Sequence, residues 1–384
     1  MPQADPPPRV AGCRARALPQ AHPPRTVAEF RARAARALPP EVFDYYDGAA
    51  GRERTARDNE AAFDAWRFVR SVLVDVSCPR TETTLLGRAA SAPLLLAPTA
   101  LQRLAHPDGE LATARAARGA GLPFVVSTLS SVPLADLARA GGDVWFQLYP
   151  HRDRGVTSEL VRAAEEAGAR VLVLTVDTPC PGRRLRDERN AFRPPPDVRP
   201  VELEAACRRA VRQAGPPSGR TLTAFFERNF NPATTWDDVR RLAESTRLPV
   251  VLKGIGRAED ARRAADLGIP AVVVSNHGGR QLDRERPTLH ALPEIADEVG
   301  DDIEVYVDGG VRGGGDILTA LALGAGAVLI GRPYLWGLAT GGEKGVGDVL
   351  RLLLDELRLD MSLTGVADTA AVPRDVVTPA AGPR

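Results

Sequence analysis

Eight short apolar runs between residues 94 and 330 constrain the fold of this chain more than any other feature. The runs are Leu94–Ala97, Phe124–Ser127, Val144–Leu148, Val171–Thr175, Pro249–Leu252, Ala271–Ser275, Ile303–Val307 and Ala327–Ile330. Most are separated by amphipathic segments rich in Ala, Leu and Arg, such as Arg154–Ala167, whose apolar residues share one face before Gly168 provides a C-cap. This alternation predicts an α/β fold, the (β/α)8 TIM barrel. An open doubly wound sheet is the alternative, but no GxGxxG motif follows an early run.

The segments outside the repeats predict the limits of the barrel domain. Residues 1–25 are rich in Pro and Arg, which predicts a disordered tail or a gene start placed too early. A helical segment, Thr26–Leu38, precedes the barrel, and we expect the barrel domain to span 26–370 and a C-terminal tail to span 371–384. About 70 residues, polar and charged rather than apolar in character, separate the fourth run from the fifth, and they predict a long flexible loop at about 191–232.

Composition excludes several classes of function. The formal net charge of +1 gives no electrostatic reason to expect binding to nucleic acid or to an acidic membrane. The four cysteines show no metal-type spacing, which predicts a reducing compartment and no zinc or other metal site. No apolar run reaches transmembrane length, and the N-terminus has no continuous apolar stretch of the secretory kind. We therefore expect a cytoplasmic protein.

Polar residues follow the predicted strands at the end where a TIM barrel places its active site. The densest group is Ala271–Asp283, a buried strand that ends in His277 and Arg280 with two glycines between them. A lone His in such a loop is more often a surface residue, but here the neighbouring strand ends carry matching groups. Asp177 and Tyr149 suit an orienting carboxylate and a hydroxyl partner for a His277 base, with a helix cap as the alternative for Asp177.

Cationic residues at other strand ends predict anion binding. Glycines with Arg312 and Arg332 after the last two strands predict a phosphate site, although ordinary turns also favour glycine. Arg184 and Arg280 suit a carboxylate, although surface arginines are common in this chain. Lys253, on the fifth strand, suits either a Schiff base or a positive charge beside a ring that becomes anionic on reduction.

These motifs make the chain resemble the FMN-dependent 2-hydroxy acid oxidase and dehydrogenase family, which includes glycolate oxidase, lactate oxidase, hydroxymandelate oxidase and mandelate dehydrogenase. The resemblance runs from about Val27 to Gly365. Its motifs are APTALQRLAHPDGE (Ala97–Glu110), WFQLY (Trp145–Tyr149), LTVDTP (Leu174–Pro179), GRRLRDERN (Gly182–Asn190), LKGI (Leu252–Ile255), SNHGGRQLD (Ser275–Asp283), VDGGVRGGGD (Val307–Asp316) and ALGAGAVLIGRP (Ala322–Pro333).

The resemblance implies that FMN lies across the barrel mouth and that an (S)-2-hydroxy acid is oxidised to a 2-oxo acid. Contacts to the flavin ring and ribityl chain would come from Pro98, Thr99, Ala100, Ser127, Gln147, Thr175 and Ser275. Contacts to the ribityl chain and phosphate would come from Asp308, Gly309, Gly310, Arg312, Gly331 and Arg332. Lys253 would lie near the N1–O2 edge of the flavin, which favours the flavin role over the Schiff-base role.

For the substrate, the resemblance implies that Arg280 and Arg184 hold the carboxylate with help from Tyr45. His277 would be the base, Asp177 would orient it, and Tyr149 would bond the substrate oxygen.

One residue departs from the plant glycolate-type members of this family. Leu129, within STLSSV (Ser127–Val132), stands where those members carry a bulky aromatic residue, so it predicts room for an aromatic substrate such as (hydroxy)mandelate. The alternative is that Leu129 only packs in the core. A small aliphatic substrate, lactate or glycolate, is the rival.

The family that this chain resembles includes both oxidases and dehydrogenases, so the electron acceptor is a separate prediction. The polar long loop lacks an apolar anchor and no haem-binding domain precedes the barrel, which favours O2 as acceptor, with H2O2 as product. A dehydrogenase that uses a quinone or another acceptor is the rival. A flavin-free lyase and a non-catalytic phosphate-ligand binder are alternatives of other classes. The resemblance implies a homotetramer.

Overall fold

A closed barrel of parallel strands forms the centre of the molecule. The computed structural model describes residues 22–210 and 222–380, without the side chains of residues 222–225. Within these ranges the barrel strands are β1 (Leu94–Leu96), β2 (Phe124–Ser127), β3 (Val144–Leu148), β4 (Leu172–Thr175), β5 (Val250–Ile255), β6 (Ala271–Val274), β7 (Glu304–Asp308) and β8 (Ala327–Ile330). They pair in chain order, and β8 closes the barrel on β1. The predicted (β/α)8 barrel is therefore confirmed.

Alternating side chains of the barrel strands enter two different apolar clusters. On β1, Leu95 belongs to the cluster inside the barrel, whereas Leu94 and Leu96 belong to the cluster beneath the helices. Strands buried on both faces have to be apolar at successive positions, which is why the runs were recognisable in the sequence. Trp145 and Tyr306 fill much of the interior, with ring centroids 6.2 Å apart.

A small hairpin closes the barrel at the N-terminal ends of the strands. Its strands, Thr83–Leu85 and Arg88–Ala90, are antiparallel, and Leu85 is buried in the interior cluster. Arg170 donates hydrogen bonds to the carbonyl oxygens of Leu85 and Leu86 at 3.1 and 3.0 Å. The hairpin leaves the opposite end of the barrel as the open one.

Helices surround the barrel. Some of them come from the parts of the chain before the first barrel strand and after the last one. Their bounds are Val27–Ala37, Pro40–Asp47, Arg54–Asp64, Glu110–Gly119, Leu134–Ala140, Arg154–Glu166, Leu185–Arg189, Val201–Ala210, Leu222–Asn229, Trp236–Ser245, Ala258–Asp266, Thr288–Val299, Gly314–Ala322 and Arg332–Thr364. Short 3-10 turns lie at Gln102–Leu104, His277–Gly279, Thr369–Ala371 and Arg374–Val376.

The helix ends follow the capping residues of the sequence. The predicted helix Thr26–Leu38 is observed as Val27–Ala37, and the Thr26 side chain accepts a hydrogen bond from the backbone N–H of Glu29. At the end of Arg154–Glu166, Gly168 takes a positive φ of 78°, the conformation expected of a helix C-terminus.

The structure differs from the sequence prediction within the expected loop at 191–232. Residues 201–210 and 222–229 are helical, so the expectation of a loop is wrong there, and residues 211–221 lie outside the described ranges. Helix Val201–Ala210 packs against Arg154–Glu166 and buries Leu203 and Ala206. Its polar residues form the outer face of an amphipathic helix, which explains why this segment resembled a loop.

The structure also differs from the expected C-terminal tail at 371–384. Val377–Pro379 forms an antiparallel ladder with Trp66–Phe68, and Val376 and Val377 are buried, so the tail prediction is wrong for this part. Residues 381–384 lie outside the described ranges, as do residues 1–21 of the expected N-terminal tail. Over the described ranges, no helix combines the length and the apolarity that a membrane crossing requires.

Candidate active site

A cavity opens at the C-terminal ends of the barrel strands. Most of the site residues predicted from the sequence line it: Tyr45, Pro98, Thr99, Ala100, Ser127, Leu129, Tyr149, Thr175, Arg184, Lys253, His277, Arg280, Asp308, Gly309, Gly310, Arg312, Gly331 and Arg332. The other three stand directly behind this lining. Asp177 bonds His277, Gln147 bonds Thr175 at 3.0 Å, and Ser275 bonds Lys253 at 2.7 Å. The structure thus brings the predicted set together at one end of the barrel.

His277 lies at the centre of a chain of hydrogen bonds. Its Nδ1 is 2.9 Å from Oδ1 of Asp177, and its Nε2 is 3.5 Å from the Tyr149 hydroxyl. The backbone of His277 has a φ of +57°, a region that non-glycine residues adopt infrequently and at a cost in energy. The turn is held because the Asn276 side chain accepts a hydrogen bond from Gly279 N–H and Ser275 Oγ accepts one from His277 N–H.

Asp177 is suited to fix the orientation and tautomer of His277. Burial on its own raises the pKa of the Asp177 carboxyl, but His277, Lys253 and Thr178 lower it below its usual value, so the group is ionised. An ionised carboxylate at Nδ1 keeps the proton there and turns Nε2 towards the cavity as an acceptor. Burial raises the pKa of Tyr149, which keeps its hydroxyl a donor.

Two guanidinium groups of the cavity lie near the same aromatic ring. The Arg280 and Arg184 groups lie 5.4 and 5.8 Å from the centroid of Tyr45. Burial lowers the pKa of Arg280, and the charge of Arg184 lowers it further, so the two cations repel each other. Asp187 offsets part of this charge at 3.2 Å from Arg184. An anion bound between the arginines would relieve the repulsion, and the planar fork of each group suits a carboxylate.

The C-terminal end of helix Pro40–Asp47 positions Arg280, a role that the sequence analysis missed. Arg280 Nη1 donates to the carbonyl oxygen of Gly48 at 2.7 Å and to that of Tyr46 at 3.3 Å. Carbonyl groups at a helix C-terminus have no partners within the helix and carry its negative dipole end, so they attract cations. The signal in the sequence was Gly48, which ends the helix after its aromatic residues.

The Arg332 guanidinium also donates hydrogen bonds to carbonyl groups at the end of this helix. Its guanidinium donates to the carbonyl oxygens of Gly48 at 2.9 Å, Asp47 at 3.1 Å and Gly278 at 3.0 Å. Burial, with the nearby Arg280 and Arg312 charges, lowers the pKa of Arg332 to about 9. The guanidinium is therefore occupied, whereas the backbone N–H of Arg332, at the start of helix Arg332–Thr364, could donate to an anion.

Asp308 and Lys253 form a buried ion pair on the cavity floor. Lys253 Nζ lies 2.6 Å from Asp308 Oδ2, and both side chains are less than a tenth exposed. Asp308 Oδ1 is buried and has no hydrogen-bond partner among the described residues. A protonated lysine in an ion pair is a poor nucleophile, which argues against a Schiff base.

The residues of the cavity floor fit the ribityl phosphate part of FMN. Asp308 lines the cavity, and its Oδ1 has no hydrogen-bond donor among the described residues, so a sugar hydroxyl of a bound ribityl chain could supply one. Gly310 has a φ of +93°, and a Cβ there would stand 2.2 Å from the Asn59 carbonyl oxygen, so only glycine fits. Arg312, paired with Glu60 at 2.8 Å, supplies a cation at the rim.

Several lining residues were not identified from the sequence. Phe226 comes from helix Leu222–Asn229, within the expected loop, and its ring meets that of Tyr149 edge-on at 5.6 Å. Nothing in the polar sequence around it indicated a cavity wall. Gln281 also lines the cavity and donates to the Cys180 carbonyl oxygen at 2.8 Å; its place in SNHGGRQLD was the available signal.

Comparison with known proteins finds a family model and relatives that match most of this chain. Residues 34–379 match the family model of the FMN-dependent dehydrogenases. A 4-hydroxymandelate oxidase from Amycolatopsis orientalis is 48% identical over 337 residues, which are 88% of this chain and 93% of that protein. An L-lactate oxidase from Nostoc sp. is 49% identical over 333 residues, 85% of this chain and 91% of that protein.

Solved structures give the same result. A mandelate oxidase crystallised with (S)-4-hydroxymandelic acid has a TM-score of 0.86 and 45% identity, and the match covers 92% of this chain and 99% of that one.

Proposed function

This chain belongs to the FMN-dependent dehydrogenase family, and on that premise we propose that it oxidises aromatic (S)-2-hydroxy acids and passes the electrons to O2. FMN is its cofactor, and the oxidation of 2-hydroxy acids is its reaction class. The proposal adds the kind of substrate, the acceptor and the role of each residue.

The observation that carries the proposal is the wall of the cavity beside the paired arginines. Leu129, Phe226 and Tyr149 line it, so a carboxylate held by Arg280 and Arg184 would leave its side chain among aliphatic and aromatic groups. Aromatic rings favour edge-on contacts such as the one that Phe226 already makes with Tyr149. The hydroxymandelate oxidase relative and the mandelate oxidase structure are consistent with an aryl substrate.

We assign binding of the substrate to Arg280, Arg184 and Tyr149, with support from Tyr45. Arg280 and Arg184 hold the carboxylate bidentately from two sides, and Tyr45 supports both guanidinium groups. The Tyr149 hydroxyl donates a hydrogen bond to the substrate oxygen. These contacts present the substrate carbon and its hydroxyl to Nε2 of His277, and holding the reacting groups in place removes much of the entropic cost of the reaction.

We assign the proton transfer to His277. Its Nε2 takes the proton that the substrate releases, and the ionised Asp177 at Nδ1 stabilises the imidazolium that forms. FMN, when bound, would accept the two electrons together with the second hydrogen of the substrate as a proton. Lys253 places a positive charge at the cavity floor, and Asp308, Arg312 and the start of helix Arg332–Thr364 hold the ribityl phosphate.

The remaining assignments of cofactor contacts follow the sequence motifs. We propose that Pro98, Thr99, Ala100, Ser127, Gln147, Thr175 and Ser275 contact the flavin ring and ribityl chain, and that Gly309, Gly310 and Gly331 approach the phosphate. We also propose a homotetramer in the cytoplasm, on the ground of the family resemblance and the scattered cysteines. Light scattering of the purified holoenzyme measures its mass directly.

A small aliphatic substrate is the second candidate. The L-lactate oxidase from Nostoc sp. is as similar to this chain as the hydroxymandelate oxidase is, which favours lactate. The two candidates differ in whether the wall around Leu129 is filled by the substrate.

Flavin bleaching tests the proposal. Purified holoenzyme is mixed anaerobically with (S)-mandelate, (S)-4-hydroxymandelate, (S)-lactate or glycolate, and the rate of loss of the visible flavin band is recorded. We expect the aryl acids to bleach fastest, and air to restore the colour with H2O2 formed. Faster bleaching by lactate would overturn the aromatic assignment. Recovery only with a dye or quinone would overturn the choice of O2.

A further inference from the structure

Asp187 is the acidic side chain that pairs with an arginine of the cavity. Its Oδ2 lies 3.2 Å from Nε of Arg184, and the two side chains are only 18% and 12% exposed. Arg184 is the N-cap of the short helix Leu185–Arg189, and residues three apart on a helix are neighbours on its surface. Arg184 is the one ion-pair partner of Asp187 within the described ranges. The carboxylate therefore lies directly behind a side chain that lines the cavity.

The backbone of Asp187 is anchored beside the aromatic ring that both cavity arginines approach. Phe192 N–H donates to the Asp187 carbonyl oxygen at 2.9 Å, and the Phe192 ring stacks on Tyr45 with the centroids 4.7 Å apart. The guanidinium groups of Arg184 and Arg280 lie 5.8 and 5.4 Å from the centroid of the same Tyr45 ring. One acid and two cations are thus held around one pair of rings.

The other acidic groups around this helix are paired with other cations. Helix Pro40–Asp47 packs against helix Leu185–Arg189, and the acids on these elements and on the segment that follows Gly48 form ion pairs of their own. The pairs are Asp44, Asp47 and Glu53 with Arg186, and Glu188 with Arg183. Arg280, by contrast, donates to carbonyl oxygens and has no ion-pair partner in the described part of the chain. Asp187 is therefore the acid that offsets the charge of the two cavity arginines.

Two guanidinium groups and one carboxylate leave a single positive charge without compensation. Burial raises the pKa of the Asp187 carboxyl, and the charges of Arg184 and Arg280 oppose that rise. The ordinary aspartate pKa of about 3.9 lies so far below neutral pH that the carboxyl paired with Arg184 remains ionised there. One carboxylate of a bound acid would neutralise the remaining charge, whereas a second carboxylate would find no cation left for it.

We propose that Asp187 is a specificity-determining residue, which restricts the cavity to acids with a single carboxylate. The proposal rests on the proposed function, because it takes Arg184 and Arg280 as the carboxylate site. The charge of Asp187 repels the second carboxylate of a dicarboxylic acid, and charges in a partly buried site interact more strongly than in water. Without Asp187, the two arginines would together match a dianion.

A purely structural role of Asp187 predicts the opposite result. If the carboxylate only held Arg184 in place, its removal would misalign the guanidinium group and weaken the binding of every carboxylate. If it sets the charge of the site, its removal strengthens the binding of a dianion more than that of a monoanion. The two roles therefore differ in the sign of a measurable ratio of affinities.

The test compares phenylacetate with phenylmalonate, which carries a second carboxylate on the same carbon. Neither has the hydroxyl group that is oxidised, so both bind without turnover, and their Kd values are measured from the change in the visible flavin band of the holoenzyme at about pH 8. We expect Asp187→Asn to raise the affinity for phenylmalonate relative to phenylacetate by about 5–50-fold, the effect of one charge at roughly 7–10 Å in a partly buried site. Asp187→Glu, which keeps the charge, should retain the wild-type ratio.

The matched control is Glu188→Gln, which removes an exposed carboxylate from the next position of the same helix. It should leave the ratio unchanged. An unchanged ratio in Asp187→Asn overturns the proposal, as do an equal weakening of both anions and an equal rise in the control. Arg280→Lys separates this result from the proposed function. If Arg280→Lys binds phenylacetate as the wild type does, the carboxylate site is wrong; if it binds phenylacetate weakly while Asp187→Asn keeps the wild-type ratio, only the role of Asp187 is wrong.

Discussion

Arg280 and Arg332 donate hydrogen bonds to the same carbonyl oxygen, that of Gly48, at 2.7 and 2.9 Å. One arginine lies beside the proposed carboxylate site, and the other begins the helix at the proposed phosphate site. The end of helix Pro40–Asp47 therefore joins the substrate side of the cavity to its cofactor side.

Arg332→Lys should loosen this junction. An ammonium group cannot reproduce the fork that reaches several carbonyl groups, so Arg280 loses part of its alignment. We expect the KM for the 2-hydroxy acid to rise about tenfold, the cost of one charged hydrogen bond, with a smaller change in kcat. Steady-state kinetics with FMN in excess measure this. Arg183→Lys is the control, since Arg183 is exposed and pairs with Glu188. An equal rise in KM in this control would contradict the proposal that Arg332 helps to align Arg280.

His277→Gln should abolish most of the turnover but leave FMN bound. Glutamine cannot take a proton, and general base catalysis contributes roughly 10²–10⁴-fold. Stopped-flow bleaching of the flavin measures the loss, and the visible spectrum measures cofactor content. His290→Gln, at an exposed position, should behave as the wild type. Bleaching in His277→Gln within a few-fold of wild type would remove His277 from the role of base.

Leu129→Trp should change the choice of substrate. Leu129 is 2% exposed and lines the cavity, so a larger ring there takes the space that an aryl group would use. We expect kcat/KM for mandelate to fall by about 10–100-fold, equivalent to about 1–3 kcal/mol of overpacking, and that for glycolate to fall less. Leu129→Met, which conserves volume, is the control. Parallel losses for both acids would mean that Leu129 is only a core residue.

Lys253→Met should destabilise the apoprotein and weaken FMN binding. Removing one partner of a buried ion pair leaves Asp308 charged without compensation, which costs about 3–5 kcal/mol. Thermal unfolding and FMN titration measure the two effects. The double variant Lys253→Met, Asp308→Asn should recover the Tm while flavin reduction stays slow. If it instead recovers both, Lys253 has no role beyond neutralising Asp308.

Asp47→Asn should reduce stability in a pH-dependent manner. Burial raises the pKa of Asp47, but Arg31, Arg332 and Arg186 lower it below its usual value. Its contribution is therefore present above the ordinary aspartate pKa of about 3.9 and is lost as the pH falls through the lower folded value.

We expect Asp47→Asn to lose about 1–3 kcal/mol of unfolding free energy at pH 7, and this difference to shrink below about pH 4. Denaturant unfolding at several pH values measures it. Asp237→Asn, which removes an exposed partner of Arg240, should show little difference at any pH. A difference for Asp47→Asn that does not depend on pH would contradict the charge argument.

The barrel could be predicted because each strand is buried on both faces. Val144–Leu148 and Ala327–Ile330 match the structure at both ends, and Lys253 was found because it follows an apolar run at the end of a predicted strand. The motif residues of the cavity could be placed because parallel strands bring their C-terminal ends together.

What could not be predicted depends on tertiary contacts. Helix Val201–Ala210 hides its apolar face against a helix far away in the sequence, so its own pattern resembled a loop. Phe226 likewise lines the cavity through a tertiary contact, with Tyr149, that its own sequence pattern does not indicate. The direction of the Arg332 guanidinium is set by carbonyl groups of residues 46–48 and 278, which no local motif reports.

The strand Val377–Pro379 has a consequence for protein engineering. It pairs with Trp66–Phe68, and Ala380 N–H donates to the Ala65 carbonyl oxygen, so residues more than three hundred positions apart form one seam. A gene shortened to the span of the family resemblance, which ends near Gly365, would leave Trp66–Phe68 as an unpaired edge next to the exposed apolar residues Val72 and Leu73. Such a shortened enzyme should aggregate, and affinity tags are better attached beyond residue 380.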